Sequence, residues 1–497
     1  MADLNHKPQT ISQCDLLFKG ATVVDGSGGP RFTADVAVEG DTIFAVGELD
    51  PLQALSVVDA SGKVLAPGFI DSHSHDDHAL LADPSLEFKV SQGVTTVVVG
   101  NCGASLAPRG QDPKPLPSVL KLIGPTPEYF RVDFKSYFQD LSQNPPAVNV
   151  IALAGHTTLR WATMERLDRE ATPGEVKAMQ KLLEQALDQG AAGLSTGLYY
   201  EPAQAATLEE LIPLGEVVGQ FQGIYASHIR NEGDEVMAAL EEALAIGTKA
   251  KVPVIISHHK VAGKKNFGRS RQTLELIDRA SRQQALGLDA YPYTASSTEL
   301  NWRHVESGLP ARVAWSEAAP WAAGRDLHEL TAEKGWSIRE AVNKLKPAIG
   351  IYFSMDQGDL CRILAYPGTM IGSDGLVSSQ MPHPRLWGTF PRVLGKYCRE
   401  ERLFSLEEAV HKMTGLPARR WGLRDRGLIA AGNKADLVLF DPAQVRDRAD
   451  YSQPARPAQG IAGVWVNGQP VWDGGFVSNL TPGRALLRGQ ELGEGQY

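Results

Sequence analysis

Two histidines one residue apart, His73 and His75, close an apolar segment that reads Ala66-Pro67-Gly68-Phe69-Ile70 before Asp71 and Ser72. In an extended chain residues i and i+2 share a face, so both imidazoles can aim at one point where a strand runs out. Converging neutral imidazoles are how a zinc-type site begins. Alone, a His-x-His pair is more often a surface or core feature than a ligand pair, so its meaning depends on what else reaches the same point.

The same chemistry recurs after other short apolar runs. Asn101-Cys102 follows 95–99, Gly155-His156 follows 148–153, and Ser227-His228 follows 224–226. Then come Ser257-His258-His259-Lys260 after 252–256, Asp289-Ala290-Tyr291 after 286–288, and Gly372-Ser373-Asp374 after 370–371. A histidine at one strand end has a bland explanation, a hydrogen bond; the repetition, in a chain with 12 histidines, does not. A divalent metal held by imidazole and thiolate lowers the pKa of a bound water to about 7 and keeps the thiol ionised. Asp374 is placed to take a proton from that attacking water and return it to a leaving nitrogen. The chemistry is hydrolysis of an amide-like bond, whose exact type these residues leave open. Cys102 as a nucleophile is the alternative, but no histidine is uniquely assigned to it as a base. Cys14, Cys361 and Cys398 read as inert thiols. His259 should point away from His258 if the strand continues, and His156 is either a support for a ligand or structural. Gly26-Ser27-Gly28-Gly29 is a turn and not a phosphate loop, because no helix follows it.

These residues need a frame that gathers strand ends. Eight apolar runs, 68–71, 95–99, 148–153, 192–194, 224–226, 252–256, 286–288 and 370–371, alternate with helix-like stretches such as 173–187, which opens on Thr172-Pro173. That alternation predicts a (β/α)₈ TIM-like barrel with chemistry at the C-terminal ends of its strands. The chain's two ends are β-rich instead, at 16–26, 34–47, 435–441 and 461–468. They predict a small β-sandwich domain built from residues 1–66 and 425–497, with the barrel over 67–424. The connection after strand seven is too long for a compact barrel and carries several tryptophans. Residues 297–350 read as an insertion, a possible lid.

Composition bounds the rest. The chain has 497 residues, 43% hydrophobic and 22% charged, with a formal net charge of −9. That balance is an ordinary globular one and argues against nucleic acid as a partner. Four scattered cysteines suit a reducing compartment. No apolar run is long enough for a bilayer, and residues 1–8 lack an apolar signal core. The expectation is a cytoplasmic protein with no membrane partner, of unknown oligomeric state.

The motifs together resemble the N-acyl-D-amino-acid deacylases (D-aminoacylases) of the amidohydrolase superfamily. The likeness rests on Pro67-Gly68-Phe69-Ile70-Asp71-Ser72-His73-Ser74-His75, Gly100-Asn101-Cys102-Gly103, Gly193-Leu194-Ser195-Thr196-Gly197-Leu198 and Ser227-His228-Ile229-Arg230-Asn231-Glu232. It continues through Ser257-His258-His259-Lys260, Tyr291-Pro292-Tyr293, Gly372-Ser373-Asp374-Gly375, His383-Pro384-Arg385-Leu386-Trp387-Gly388 and Gly432-Asn433-Lys434-Ala435-Asp436-Leu437-Val438. The Asn-Cys-Gly segment is the specific part, because many amidohydrolases place a carboxylated lysine between their metals. The resemblance implies Zn²⁺ held tightly by Cys102, His228 and His258. His73, His75 and Asp374 would line a second, weaker position, with Asp374 as general base and acid. It implies a substrate carboxylate gripped by Lys260, Tyr200, Tyr291 and Arg385, with Ser297 and Arg303 as further candidates. Thr298-Glu299-Leu300-Asn301-Trp302 matches no recognisable subgroup. Two arginines near one pocket suggest an acidic D-side chain such as D-glutamate. The alternatives are a dihydropyrimidinase-like amide hydrolase, against which Cys102 argues, and a non-catalytic relative, against which the complete ligand set argues.

Overall fold

The structure, a computed structural model, describes residues 13–49, 54–110, 114–306, 308–377 and 380–497. The N-terminal stretch read above for a signal core lies outside the described residues. Eight parallel strands form the centre: Phe69–Asp71, Val94–Val99, Asn149–Ala152, Gly193–Gly197, Ile224–His228, Val254–Ile256, Leu286–Ala290 and Thr369–Ile371. The first three pair in order, and the third continues past Leu153 into Ala154–Gly155 to pair with the fourth. Strands four to eight then pair in sequence. The ring closes where the Ser72 N–H donates to the Ile371 carbonyl at 3.2 Å and Ser74–His75 pairs with Gly375–Leu376. The expected TIM-like barrel is therefore present.

All residues of the eight strands are buried, because a barrel strand is covered on both faces. Their two faces feed different clusters. Phe69, Val97, Val150, Tyr225 and Val254 pack with the surrounding helices. Ile70, Val98, Ile151, Ile224, Ile255 and Met370 pack with one another and with Leu416, Trp421, Leu486 and Leu492. The helices show why they form. Pro173–Asp188 starts on Thr172, whose side chain and that of Glu175 complete a capping box, and it buries Met179, Leu183, Ala186 and Leu187 at helical spacing.

Both ends of the chain meet in one nine-stranded sheet. Leu437–Phe440 lies between Val64–Pro67 and Ile461–Val466, and Cys14–Val23 branches to pair with Phe32–Glu39, Ala54–Asp59 and Val64–Pro67. Leu16, Phe18, Val36, Leu437 and Trp465 share one apolar cluster of this β domain, and Leu17, Ala37, Ala45 and Leu49 another. Past this sheet the chain returns to the barrel, where Ala485 bridges to Val150. Between strands seven and eight, Ser296–Glu299, Ala311–Ser316 and Ala348–Tyr352 form a three-stranded antiparallel sheet. With helices Leu327–Lys334 and Ile338–Leu345 it encloses its own core of Leu300, Val313, Leu330, Val342 and Leu345. Among the described residues no helix is long and apolar enough to cross a membrane.

Candidate metal centre

Six side chains converge at the C-terminal ends of the barrel strands: His73, His75, Cys102, His228, His258 and Asp374. Cys102 Sγ lies 3.3 Å from His73 Nε2 and 3.3 Å from His258 Nε2, and His258 Nε2 lies 3.0 Å from His228 Nδ1. Asp374 Oδ1 faces His75 Nε2 at 3.3 Å and His73 Nε2 at 3.7 Å. The thiol thus joins two groups of donors.

The backbone is bent to bring them there. Cys102, His258 and Asp374 all have positive φ, at 54°, 36° and 49°. Left-handed backbone at residues other than glycine is strain held in place by its surroundings, and it gathers at functional sites. The surroundings are visible. Asn101 donates from Nδ2 to the carbonyls of Val98 (2.9 Å) and Ser74 (3.3 Å), fixing the turn before Cys102. Gly100 is required there, since a Cβ would stand 2.1 Å from the Leu153 carbonyl oxygen. Asp289 accepts the His258 N–H at 2.8 Å and sits 3.4 Å from His73 Nδ1. The His73 carbonyl accepts the Asp374 N–H at 2.7 Å.

Electrostatics separate this cysteine from the other three. Burial opposes ionisation of Cys102, but the facing His73 and His258 outweigh it and hold the thiol well below its ordinary pKa. Burial instead pushes Cys14, Cys361 and Cys398 up. Burial also opposes charge on His75, yet Asp374 and Cys102 push it up to about 9. Asp374 is held well below the usual carboxylate range: Arg385 and the ring histidines overcome its burial.

The donor set fits a divalent metal. Bonds of about 2.0–2.1 Å to nitrogen and about 2.3 Å to sulfur, at tetrahedral angles, place donors about 3.3–3.8 Å apart. The Cys102–His258–His228 spacings of 3.3 and 3.0 Å are close to that. Two ring nitrogens facing each other at 3.0 Å inside a protein call for a shared cation or proton. The outer atoms are also arranged as metal sites require. His258 Nδ1 lies 3.1 Å from Glu232 Oε1, and His73 Nδ1 faces Asp289.

The other candidates divide. A cavity of about 560 Å³ is lined by Tyr200, His228, His258, Lys260, Ser297, Arg303 and Asp374, among others. Arg385 reaches the metal cleft from its far wall, 2.9 Å from Asp374 Oδ2, and donates to the Ser297 carbonyl at 3.1 Å. Tyr291 is not part of the cavity lining. It lies beneath the cations, its ring 4.5 Å from Arg385 and 5.4 Å from Lys260. Arg303 is exposed at the cavity wall, against Trp302. His259 turns away to Thr273 Oγ1 (2.9 Å), and His156 contacts Glu210 (2.7 Å), so neither joins the ring.

Two charged groups, one half-buried on the cavity wall and one fully buried, escape a reading of the chain alone. Glu232 contacts the Lys260 ammonium at 2.6 Å, is itself held below its ordinary pKa despite burial, and keeps that cation paired within the cavity. Lys89 is fully buried between Asp71 (2.6 Å) and Asp76 (3.1 Å) and donates to Ser373 Oγ at 2.9 Å. It clamps the ends of strands one and eight behind His73 and Asp374. Glu232 follows His228 by four residues, the one hint available, whereas a lysine in a short helix reads as solvent-facing.

The chain matches the model of the amidohydrolase family over residues 56–290 and 325–472. It is 48% identical to an N-acyl-D-aspartate deacylase of Alcaligenes xylosoxydans xylosoxydans over 99% of both chains. It is 50% identical to a D-aminoacylase of the same organism over 95% of this chain and 98% of that one. The crystal structure of an N-acyl-D-glutamate deacylase from Bordetella bronchiseptica, complexed with zinc and a phosphonate mimic of the tetrahedral intermediate, superposes with a TM-score of 0.91. The identity is 45%, over 96% of this chain and 100% of that one.

Proposed function

The chain belongs to the amidohydrolase family, and from that premise we propose that it is a metal-dependent hydrolase that cleaves the amide bond of N-acyl-D-amino acids to a carboxylate and a free D-amino acid. The observation that carries this reading is the ring in which one cysteine joins two sets of metal donors beside a cavity whose walls carry Lys260, Lys264 and Arg303.

In this reading Cys102, His228 and His258 hold Zn²⁺ tightly, and His73, His75 and Asp374 line a second, weaker position. When bound, the metal supplies a Lewis acid for the amide carbonyl and lowers the pKa of the attacking water. Asp374 takes the proton as the water oxygen bonds to the carbonyl carbon. It returns that proton to the nitrogen as the carbon–nitrogen bond breaks. That role needs a carboxylate ionised before the reaction, which the Arg385 contact favours.

Arg385, Lys260, Tyr200 and Ser297 receive the substrate carboxylate, with the Tyr291 ring supporting Arg385 and Lys260 from beneath. Arg385 Nε is buried without a hydrogen bond, which suits an incoming anion. Lys260 is already paired with Glu232 and lies 2.8 Å from His258 Nδ1, so its remaining N–H orients the substrate more than its net charge attracts it. Arg303, further along the cavity, suits a second carboxylate on the side chain.

A panel of N-acetyl-D- and N-acetyl-L-amino acids tests the reading on zinc-loaded protein. We expect turnover of D-substrates only, with D-aspartate or D-glutamate ahead of D-leucine. Equal turnover of both hands would overturn the assignment. Preference for D-leucine would remove the second carboxylate and leave the rest standing.

A further inference from the structure

The ring has a neighbour on each side, and the two differ in kind. On one side is the polar cavity with Lys260, Lys264, Lys265 and Arg303 on its walls, where Glu232 pairs with Lys260 and Asp234 with Lys265. On the other is a separate cavity of about 610 Å³ whose walls include Phe88, Leu122, Ile123, Trp315, Pro347 and Val377. The narrow cleft at the metal centre lies between. It shares Tyr200, Ser297, Thr298 and Asp374 with the first cavity, and His75, Leu122 and Ile123 with the second.

We infer that this second cavity receives the acyl chain of the substrate, and that the enzyme takes aliphatic acyl groups longer than acetyl. The inference rests on the deacylase reading above and goes beyond it. An N-acyl-amino acid held with its carbonyl at the ring extends in two directions. One half carries one or two carboxylates, which are costly to bury against Phe88 and Ile123 and are matched by the polar side. The acyl half carries no charge and is matched by the apolar side. An acetyl methyl group reaches only as far as His75, Leu122 and Ile123. Further methylenes enter the space beyond, whose volume lies in the ordinary range for a ligand site. Of its charged members, Asp83, Lys121 and Glu317 are exposed and belong to the mouth, where a chain end meets water; Glu299 is half-buried, its carboxylate accepting from Ser118 Oγ at 3.3 Å.

The test is a chain-length series, N-acetyl, N-butyryl, N-hexanoyl and N-octanoyl, on one D-amino acid that the protein turns over. The expected result is a rise in kcat/KM of about two- to fourfold per methylene. Calorimetry gives an independent readout: octanoate binds the zinc-loaded protein more tightly than acetate does, with a negative heat-capacity change. Ala82→Trp projects into the cavity from an exposed helix end, and is expected to leave N-acetyl turnover within about twofold while abolishing the rise. Should Ala82→Trp fail to fold, the native series and the octanoate titration decide by themselves. A flat or falling series with N-acetyl turnover intact, equal binding of acetate and octanoate, or an unchanged profile in Ala82→Trp would each overturn the acyl site while leaving the deacylase reading standing. Absence of turnover on every N-acyl-D-amino acid would overturn both.

Discussion

The barrel's interior and the ends of its strands are made of opposite materials. Inside the barrel, the inward-facing Ile70, Val98, Ile151, Ile224 and Ile255 meet Leu416, Trp421, Leu486 and Leu492 in an apolar plug to which the returning C-terminal segment contributes. Where the strands finish, six metal-competent side chains crowd within hydrogen-bonding reach, three of them on left-handed backbone, with Arg385 Nε and the Tyr291 hydroxyl left without hydrogen bonds. The first region is close apolar packing, with the Trp421 indole N–H its one buried group left without a hydrogen bond among the residues just named. The other breaks several rules of stable packing, and sequences break such rules at functional sites. The difference separates what holds the molecule together from what makes it reactive.

The strongest way to test that separation is at the reactive end. Asp374→Asn keeps the shape, and asparagine accepts the positive φ of 49° at little cost. It removes the only proton carrier assigned to the reaction. We expect kcat to fall by about 10³–10⁴-fold, with zinc content by elemental analysis unchanged, because Cys102, His228 and His258 remain. Activity retained within tenfold in fully metallated protein would move the proton chemistry to another residue.

The converse change belongs at the plug. Trp421 is fully buried among the inward-facing strand residues and is not one of the metal-competent side chains. Trp421→Ala is expected to cost about 3–5 kcal/mol of stability, read as a lower urea midpoint. The kcat per zinc-loaded molecule, measured well below the transition, is expected to stay within about twofold. A loss of kcat comparable to that of Asp374→Asn would show the two regions to be mechanically coupled.

How far each region is legible in the chain follows from the same contrast. The barrel is readable because each strand is a short run buried on both faces, so composition alone marks it. The ring is readable because histidine, cysteine and aspartate fall just past those runs, and a strand end is a fixed place in this fold. Glu232 and Lys89 are hidden for a physical reason. Each is a charge whose burial is made tolerable only by partners distant in sequence, Lys260 for the first and Asp71 with Asp76 for the second. No local pattern records such a pairing. The two cavities are hidden likewise, because their walls are assembled from loops and from the insertion after strand seven.

The smallest expected effect lies between the two extremes, at the rim. Arg303 lines the polar cavity but is exposed, unlike Arg385, which is 1% exposed and fixed against Asp374, Tyr291 and Ser297. An exposed ion pair contributes about 0.2–1 kcal/mol, so Arg303→Ala should reduce kcat/KM for N-acetyl-D-glutamate by only about two- to fivefold. Turnover of N-acetyl-D-leucine should be unchanged, because that substrate offers Arg303 no second carboxylate. Salt gives an internal control. The native preference for the acidic substrate should shrink as ionic strength rises towards about 1 M, where the screening length falls to about 3 Å, and in Arg303→Ala it should depend on salt much less. If Arg303→Ala slows both substrates equally, the residue supports the insertion and does not read the side chain. If it slows neither, the second carboxylate is recognised by the lysines of the same wall, Lys264 and Lys265, and the rim divides its work differently from the buried centre.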